Sequence, residues 1–316
     1  MNKIIDLHQD LMLYVSKPEL YKDKKNQTSF EALVRNNIKI TIVSGFALPE
    51  NEKYRDPSTH DLIEKDLKSY INFCKKNKDF IIVKNKKDLN RVIYSKNLYG
   101  LILHIEGLNF FNQKSSWKKL EKWYRMGLRS IGPLWNINNS FGGGTLYKKR
   151  GLTAIGKKLL RWSEKKGVIF DFAHMNEKTF WQCSRLAKKP ILISHGNSRT
   201  VCQNVRNYTD EQLKKVSETN GTVGIFFSKK FISSKKEPLV EDIVKHIDRI
   251  KLLCGVDSIS IGSDFGGIIS GFAKGMESVD ELPRFRRILL KHGYSKIDVE
   301  KIFFGNAKRV LESLLN

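Results

Sequence analysis

The chain has 316 residues, of which 40% are hydrophobic and 10% aromatic. This composition excludes an intrinsically disordered protein, and the length allows one large domain or two ordinary ones. The formal net charge is +24, from 57 Lys and Arg against 33 Asp and Glu. The lysines form short, dispersed clusters, which are typical of solvated surface, and no nucleic-acid recognition motif accompanies them. We therefore predict no nucleic-acid partner, whereas attraction of acidic small substrates stays open.

Membrane insertion and disulfide bonding are not expected either. The first strand-like run begins within a few residues of Met1, which leaves no room for an apolar targeting stretch. No apolar run approaches the ~20 residues that a membrane span requires. The four cysteines are widely scattered and form no Cys-x-x-Cys pair, as is typical of a reduced protein. We expect a cytoplasmic protein with no membrane partner.

Strand-like and helix-like segments alternate along the chain. Runs rich in Ile, Val, Leu and Phe predict strands over residues 4–8, 38–46, 100–105, 128–133, 168–173, 190–195, 222–227 and 258–264. Amphipathic or capped patterns predict helices over residues 60–77, 152–166, 209–219, 240–254, 281–292 and 298–315. Eight strands with intervening helices predict a (β/α)8 TIM-like barrel with C-terminal helices, with residues 1–316 forming a single domain.

One apolar run exceeds the eight strands of a barrel, and one alternative fold has to be considered. Phe80-Ile81-Ile82-Val83 is a ninth apolar run, which we interpret as an accessory strand between the second and third barrel strands. A doubly wound open sheet is the alternative fold, but no Gly-rich phosphate loop follows the first strand. Gly142-Gly143-Gly144 lies after the fourth strand and lacks the lysine and helix start of a phosphate cradle, so we interpret it as a flexible loop.

Side chains that bind metals stand near the ends of separate predicted strands. They are His8, Asp10, Glu106, His174, His195 and Asp264. The carboxyl ends of parallel strands meet at one rim of a barrel, so these side chains are expected to converge. Three histidines and three carboxylates on one rim suggest a two-metal hydrolase. His8 and Asp10 are two residues apart on one strand, so both side chains point the same way and can hold one ion.

Each of these residues has a less specific interpretation when taken alone. Glu106 precedes Gly107 and by itself is more typical of an exposed turn. A lone histidine on a strand is more often a hydrogen-bonded core residue than a ligand. Two such histidines, His174 and His195, in a barrel that already carries a His-x-Asp pair reverse that preference. Asp264 lies among glycines that let the backbone approach a substrate closely, and we expect it to be the general base or acid.

The motifs of the whole chain, in order, resemble those of the membrane dipeptidase (renal dipeptidase) family of zinc peptidases, within the amidohydrolase superfamily. The segments that carry the resemblance are His8-Gln9-Asp10-Leu11, Ile105-Glu106-Gly107, Gly151-Leu152-Thr153 with Gly156, Asp171-Phe172-Ala173-His174, Ser194-His195, Val201-Cys202 with Arg206-Asn207, and Gly305-Asn306 with Arg309-Val310. The resemblance implies a binuclear zinc dipeptidase that acts on short peptides, with a D-residue accepted at the C-terminal position. It also implies a homodimer.

Roles for individual residues follow from the same resemblance. His8 and Asp10 would bind one Zn²⁺, His174 and His195 the other, and Glu106 would bridge the two ions. Mn²⁺ or Co²⁺ can substitute in such a donor set. Arg206 would pair with the carboxylate of the substrate, which suits the bidentate geometry of a guanidinium. Asp264 would exchange a proton with the attacking hydroxide and the leaving amine.

Two positions depart from the family pattern. Trp135, in Leu134-Trp135-Asn136, stands where well-known members carry a substrate-binding histidine, and we expect Trp135 and Asn136 to contact the substrate. Tryptophan can donate one hydrogen bond but cannot become cationic. Gly266 stands where the family motif Asp-Phe-Asp-Gly has its second Asp, whereas the first, Asp264, is present.

Two other functions remain open from the sequence. The first is another amidohydrolase reaction at the same metals, such as N-acyl amino-acid deacylation or lactone hydrolysis, which the Trp135 replacement keeps in view. The second is a non-catalytic basic binding protein, which the full ligand set disfavours because unused buried carboxylates repel one another. The remaining histidines are interpreted as structural or surface residues: His60, His104, His246 and His292.

Overall fold

The computed structural model describes residues 3–11, 27–46, 58–111, 116–268 and 270–316. Its strands are β1 (Ile4–Gln9), β2 (Ile38–Gly45), β3 (Phe80–Ile82), β4 (Tyr99–Glu106), β5 (Leu128–Gly132), β6 (Ile169–Phe170), β7 (Leu192–Ile193), β8 (Thr222–Ile225) and β9 (Ile259–Ile261). Every residue of β1, β2 and β4 is buried. Strands covered on both faces are typical of a parallel barrel, where helices cover the outside and side chains fill the inside, and this explains their almost continuous apolar sequences.

The order of the strands is that of a (β/α)8 barrel. Eight of them follow the hydrogen-bonded order β6-β5-β4-β2-β1-β9-β8-β7. The first strand pairs in parallel with the last, with Asp6 opposite Ile261. Strand β3 lies off this path and pairs in parallel with β4. The predicted barrel and the predicted accessory strand are both confirmed.

Helices follow most of the strands. They are α1 (Phe30–Arg35), α2 (Ser58–Lys76), α3 (Lys86–Tyr94), α4 (Ser116–Met126), α5 (Ala154–Lys166), α6 (Glu177–Ser184), α7 (Asp210–Glu218), α8 (Lys229–Ile232), α9 (Val240–Cys254), α10 (Leu282–Lys291), α11 (Lys296–Glu300) and α12 (Asn306–Leu314). Local sequence fixes several ends. The predicted N-cap Thr209 forms a capping box with Gln212, and Gly167 ends α5 in the left-handed conformation.

The structure corrects the predicted elements in three places. Strands β6 and β7 have only two residues each, because the chain leaves the sheet early to form the loops that follow. Residues 298–315 were predicted as one helix, but a π-helical turn over Lys301–Gly305 separates α11 from α12. Five helices of eleven residues or fewer were not predicted from the sequence. They are α1, α3, α4, α6 and α8.

The chain divides into two compact units, each of which is described by itself below. The terminal unit comprises Met1–Thr41 and Leu192–Leu311, and the central unit comprises Ile42–Ile191 and Glu312–Asn316. Residues 38–41 of strand β2 belong to the terminal unit, and residues 42–45 belong to the central unit. The interpretation of residues 1–316 as a single domain stays a prediction. Within the described ranges, no helix combines the length and the apolar character needed to cross a bilayer.

Candidate metal centre

In the terminal unit, three predicted site residues lie together where β1 and β9 end. His8 Nε2 lies 3.5 Å from Asp10 Oδ2 and 3.8 Å from Asp264 Oδ1. The backbone holds them there, since the Asp264 N–H donates to His8 O and the Asp10 N–H donates to Phe265 O, at 3.0 and 2.8 Å. Ligand atoms of the three residues all lie within 4.8 Å of one another, so one metal ion can contact all three.

The turn after Asp264 brings glycine backbone against Asp10. Asp264 has a φ of +60° and Gly266 a φ of +93°. A Cβ at Gly266 would press on the backbone of Asp10, and a Cβ at Gly267 would collide with the Asp10 carboxylate. Glycine therefore stands at position 266 for a steric reason, because a side chain there would meet both a strained φ and the neighbouring strand end.

A buried and a partly buried carboxylate meet in this cluster. Asp10 is 3% exposed, and its Oδ1 has no hydrogen-bond partner among the residues that the structure describes. Burial is the main cause that raises the pKa of Asp264 to about 7, the charge of Asp10 adds to the rise, and His8 and Arg206 oppose it. Like charges in a buried site favour a bound cation, so this donor set fits a metal ion. A carboxyl group that titrates near neutrality is also suited to exchanging protons.

His195 lies beside His8 in the same unit. The two imidazole centroids are 4.3 Å apart, and His195 is almost fully buried. The hydroxyl of Ser194 lies 2.8 Å from Nδ1 of His195, and this contact orients the ring. The predicted ligand therefore has the support that metal-bound histidines usually have.

Arg206 is a buried cation close to His195. Its Nη2 donates to His195 O at 3.3 Å, and its guanidinium carbon lies 5.6 Å from the centroid of the Phe226 ring. The residue is 5% exposed, and its Nη1 has no hydrogen-bond partner within the described part of the chain. A buried guanidinium with an unused donor is costly unless an anionic ligand completes it.

In the central unit, Glu106 and His174 form a second pair. Glu106 is the last residue of β4, and its Oε1 lies 2.9 Å from His174 Nε2. The other ring nitrogen of His174, Nδ1, lies 2.7 Å from Asn136 Oδ1, which also accepts the hydroxyl of Thr145 at 3.0 Å. His174 has a φ of +63°. The amide of Asn136 thus fixes the ring so that Nε2 faces the carboxylate.

Trp135 lies next to this pair and is half-buried. Its ring centroid lies 6.2 Å from that of His174 and 5.2 Å from that of Phe46. Trp135 and Phe46 therefore form an aromatic surface beside a predicted metal ligand. This surface makes apolar contacts where a histidine would offer a cation.

Other buried polar residues lie close in sequence to the predicted ligands. In the central unit, Asp171 Oδ1 accepts the N–H of Ala173 at 3.0 Å, and His104, which the sequence analysis interpreted as structural or surface, has its Nδ1 2.7 Å from Ser130 Oγ. In the terminal unit, Asp6 accepts hydrogen bonds from residues on both sides of the cluster. The sequence did contain a sign that Asp6 lies near the cluster, because Asp6 stands two residues before His8 and therefore on the same face of β1.

The comparisons with known proteins agree with a metal-dependent hydrolase built on a (β/α)8 barrel. The family model described as membrane dipeptidase (peptidase family M19) matches residues 1–315, and the chain belongs to that family. It is therefore a metallopeptidase that acts on dipeptides. The resemblance drawn from the sequence motifs is confirmed.

The chain is also similar to individual relatives, and solved structures share its fold. The chain is 34% identical over 238 residues to an uncharacterized protein in the pqqA 5′ region of Klebsiella pneumoniae, covering 72% of this chain and 86% of that protein. It is 25% identical over 307 residues to an uncharacterized dipeptidase of Schizosaccharomyces pombe, covering 89% and 73%. A metallopeptidase from Rhodobacter sphaeroides, solved with a phosphinate mimic of L-Ala-D-Ala, has the same fold, with a TM-score of 0.87, 21% identity and 99% coverage of both chains. So does the probable dipeptidase PvdM from Pseudomonas aeruginosa, with a TM-score of 0.86, 18% identity and coverage of 99% and 95%.

Proposed function

We propose that this protein is a binuclear zinc dipeptidase that hydrolyses short peptides with a free C-terminal carboxylate, including those with a D-residue at that position. As the family resemblance implies, His8 and Asp10 would hold one zinc ion, His174 and His195 would hold the other, and Glu106 would be a ligand shared by both. Support comes from each unit separately: the cluster of His8, Asp10 and Asp264 in one, and the oriented pair of Glu106 and His174 in the other. Zinc in such donor sets makes water a nucleophile at neutral pH and polarises a carbonyl.

Arg206 anchors the substrate in this proposal. The observation that carries it is the unused Nη1 donor of a guanidinium that is 95% buried, in the same unit as His8 and Asp264. A substrate carboxylate satisfies that donor and neutralises the charge. This restricts the enzyme to substrates whose scissile bond lies one residue from a free carboxylate.

Asp264 moves the proton. Its carboxylate accepts a proton from the attacking water and delivers it to the departing amine, so the nitrogen leaves as a neutral amine. Its raised pKa and its position 3.8 Å from Nε2 of His8 support this role. Trp135 and Asn136 contact the substrate in this proposal, and the contact of Asn136 with Nδ1 of His174 supports a second role for Asn136, which is to orient that ring.

The test is hydrolysis of a panel of L,L and L,D dipeptides by the zinc-loaded protein, with metal content measured on the same sample. The expected result is two equivalents of zinc and turnover that a chelator and Asp264→Asn both abolish. Asp257→Asn is the matched control, because Asp257 lies just before β9 rather than after it and pairs with Lys301 on the surface. Absence of bound metal, or turnover that survives Asp264→Asn, contradicts the proposal.

A second function rests on Trp135. An aromatic surface beside His174 suits an acyl chain or a lactone ring as well as a peptide side chain. The same preparation is therefore assayed with N-acyl amino acids and lactones. Turnover of these substrates in preference to every dipeptide assigns the site to deacylation or lactone hydrolysis instead.

A further inference from the structure

Asp6 is a fully buried carboxylate in β1, two residues before His8. Its Oδ1 accepts the N–H of Ser263 at 2.9 Å and the N–H of His8 at 3.3 Å. Its Oδ2 accepts the hydroxyl of Ser263 at 2.5 Å and the side-chain amide of Gln9 at 2.6 Å. Four donors thus converge on one carboxylate that has no access to solvent.

The donors that Asp6 accepts are the immediate neighbours of the metal ligands. Ser263 precedes Asp264, and Gln9 lies between His8 and Asp10. Regular pairing of β9 ends at Ile261, so beyond that residue the strand register depends on other contacts. The Asp6–Ser263 contact is one of them, and it connects two segments that are 257 residues apart in the sequence.

A second layer of buried amides supports the same segments. Gln9 Oε1 accepts the hydroxyl of Thr28 at 2.8 Å. Gln27 accepts the N–H of Gly266 at 2.8 Å and donates to Ile268 O at 2.9 Å, which holds the turn after Asp264. All these side chains are buried, so each donor and acceptor is placed by the others.

We propose that Asp6 is a positioning residue that sets the spacing between the His8–Asp10 strand end and Asp264, and through that spacing the metal affinity and the turnover rate. The expected effect on the turnover rate rests on the proposed function, whereas the expected effect on the metal affinity rests on geometry alone. Asp6 does not touch the substrate in this scheme. Only a carboxylate, with its two oxygens, accepts from all four donors. The side-chain amide of an asparagine at this position would point its NH₂ group toward two of them.

The test compares Asp6→Asn with Asn306→Ala in the full-length protein. Asn306 is a matched control: it is buried, and it donates two hydrogen bonds, to Val256 O and Ile259 O, at the opposite end of β9. Both variants lose buried hydrogen bonds to the segment that contains β9. Asp6→Asn loses them beside the predicted ligands, and Asn306→Ala loses them at the other end of the strand. The readouts are kcat, KM and the affinity for Co²⁺, titrated by its visible absorption in the metal-free protein.

Asp6→Asn is expected to lower kcat and Co²⁺ affinity each by roughly 10–100-fold, as is usual for residues that orient metal ligands. KM is expected to stay within about threefold, because the carboxylate anchor Arg206 is untouched. Asn306→Ala is expected to lower the midpoint of thermal unfolding while its kcat and Co²⁺ affinity stay those of the wild type. Ser263→Ala, which removes one of the four donors, is expected to give a smaller loss that vanishes in the Asp6→Asn background.

Three results overturn the inference. The first is wild-type kcat and Co²⁺ affinity in Asp6→Asn, and the second is an equal loss in Asn306→Ala. If Asp6→Asn does not fold, Ser263→Ala is measured in its place. The third result is then a Ser263→Ala protein with the kcat and the Co²⁺ affinity of the wild type. If the wild type turns over no dipeptide, the Co²⁺ titrations still test the positioning role, so failure of this inference is distinguishable from failure of the proposed function.

Discussion

The two regions that carry predicted ligands hold them by different means. In the terminal unit, His8 belongs to a regular strand, and backbone hydrogen bonds between the ends of β1 and β9 place Asp10 and Asp264 beside it. In the central unit, His174 lies four residues beyond the two-residue strand β6, with a positive φ, and the amide of Asn136 orients its ring. Strand pairing sets the first geometry, and a side-chain contact between loops sets the second.

The difference predicts how each region responds to substitution. The ligands at the end of a paired strand share their register with the barrel, so a substitution there changes the spacing of several site residues together. A ligand in a loop is oriented by side-chain contacts such as that of Asn136 with His174, so a substitution there acts on one ring. The variants below separate these two cases, from the largest expected effect to the smallest.

Asp264→Asn tests the proton-transfer role in the terminal unit. The amide keeps the shape of the side chain but cannot accept the proton, so kcat is expected to fall by roughly 10²–10⁴-fold with little change in metal content. Steady-state kinetics and metal analysis on one preparation measure both. A kcat within about threefold of the wild type would assign the proton transfer to another group.

His246 makes the stability of the terminal unit depend on pH. Burial is the main cause that lowers the pKa of His246 to about 4, although its hydrogen bonds with Ile232 O and the N–H of Ser198 oppose the shift. The unfolded chain takes up this proton near pH 6.5 and the folded chain near pH 4, so stability is lost as the pH falls between these values. The loss reaches about 3 kcal/mol at most.

Urea unfolding at a series of pH values measures this dependence. His246→Gln keeps a donor and an acceptor but does not titrate, so the difference between its pH profile and that of the wild type isolates His246. Identical slopes in the two proteins would show that carboxylates alone cause the acid sensitivity.

Arg206→Lys tests the carboxylate anchor. Lysine keeps the charge but loses the planar fork, so kcat/KM is expected to fall by roughly 10–50-fold, mainly through KM. Dipeptide amides, which lack the carboxylate, are the matched substrates. The wild type should discriminate strongly against them and the variant weakly, whereas unchanged discrimination would remove Arg206 from substrate binding.

Asn136→Ala tests the loop-held ligand of the central unit. Removing the amide frees the His174 ring, and zinc affinity is expected to fall by about tenfold. Thr145→Ala, which removes the other donor to Asn136 Oδ1, is the milder comparison. Competition with a chelating dye measures both affinities, and an Asn136→Ala protein with wild-type affinity would mean that the loop holds His174 without the amide.

Residues on well-formed strands were predictable from the sequence, and residues that depend on distant contacts were not. The apolar runs before His8 and Glu106 marked β1 and β4, and the His-x-Asp spacing showed that two side chains share a face. The contact of Asn136 with His174 joins loops 38 residues apart, and that of Asp6 with Ser263 spans most of the chain. Periodicity reports local burial, so it carries no information about such pairs.

The same limit explains the errors in the elements. Strands β6 and β7 were predicted too long, because the chain stays buried after each strand ends, and a local pattern does not show where the pairing stops. The π-helical turn at Lys301–Gly305 carries the same apolar pattern as an α-helix. The role of Gly266 also depended on the structure, since only the close approach of Asp10 shows why a side chain is excluded there.

The parallel pairing of β1 with β9 has a consequence for synthesis on the ribosome. Strand β1 is made first, but its partner, with Ile261 opposite Asp6, emerges about 250 residues later. At translation rates of about 5–20 residues per second, β1 waits roughly 12–50 s for that neighbour. The central unit is nearly continuous in sequence and can fold during this interval, whereas His8 and Asp10 meet Asp264 only after the residues between them have been made. The proposed metal site of the terminal unit therefore assembles later than the fold of the central unit.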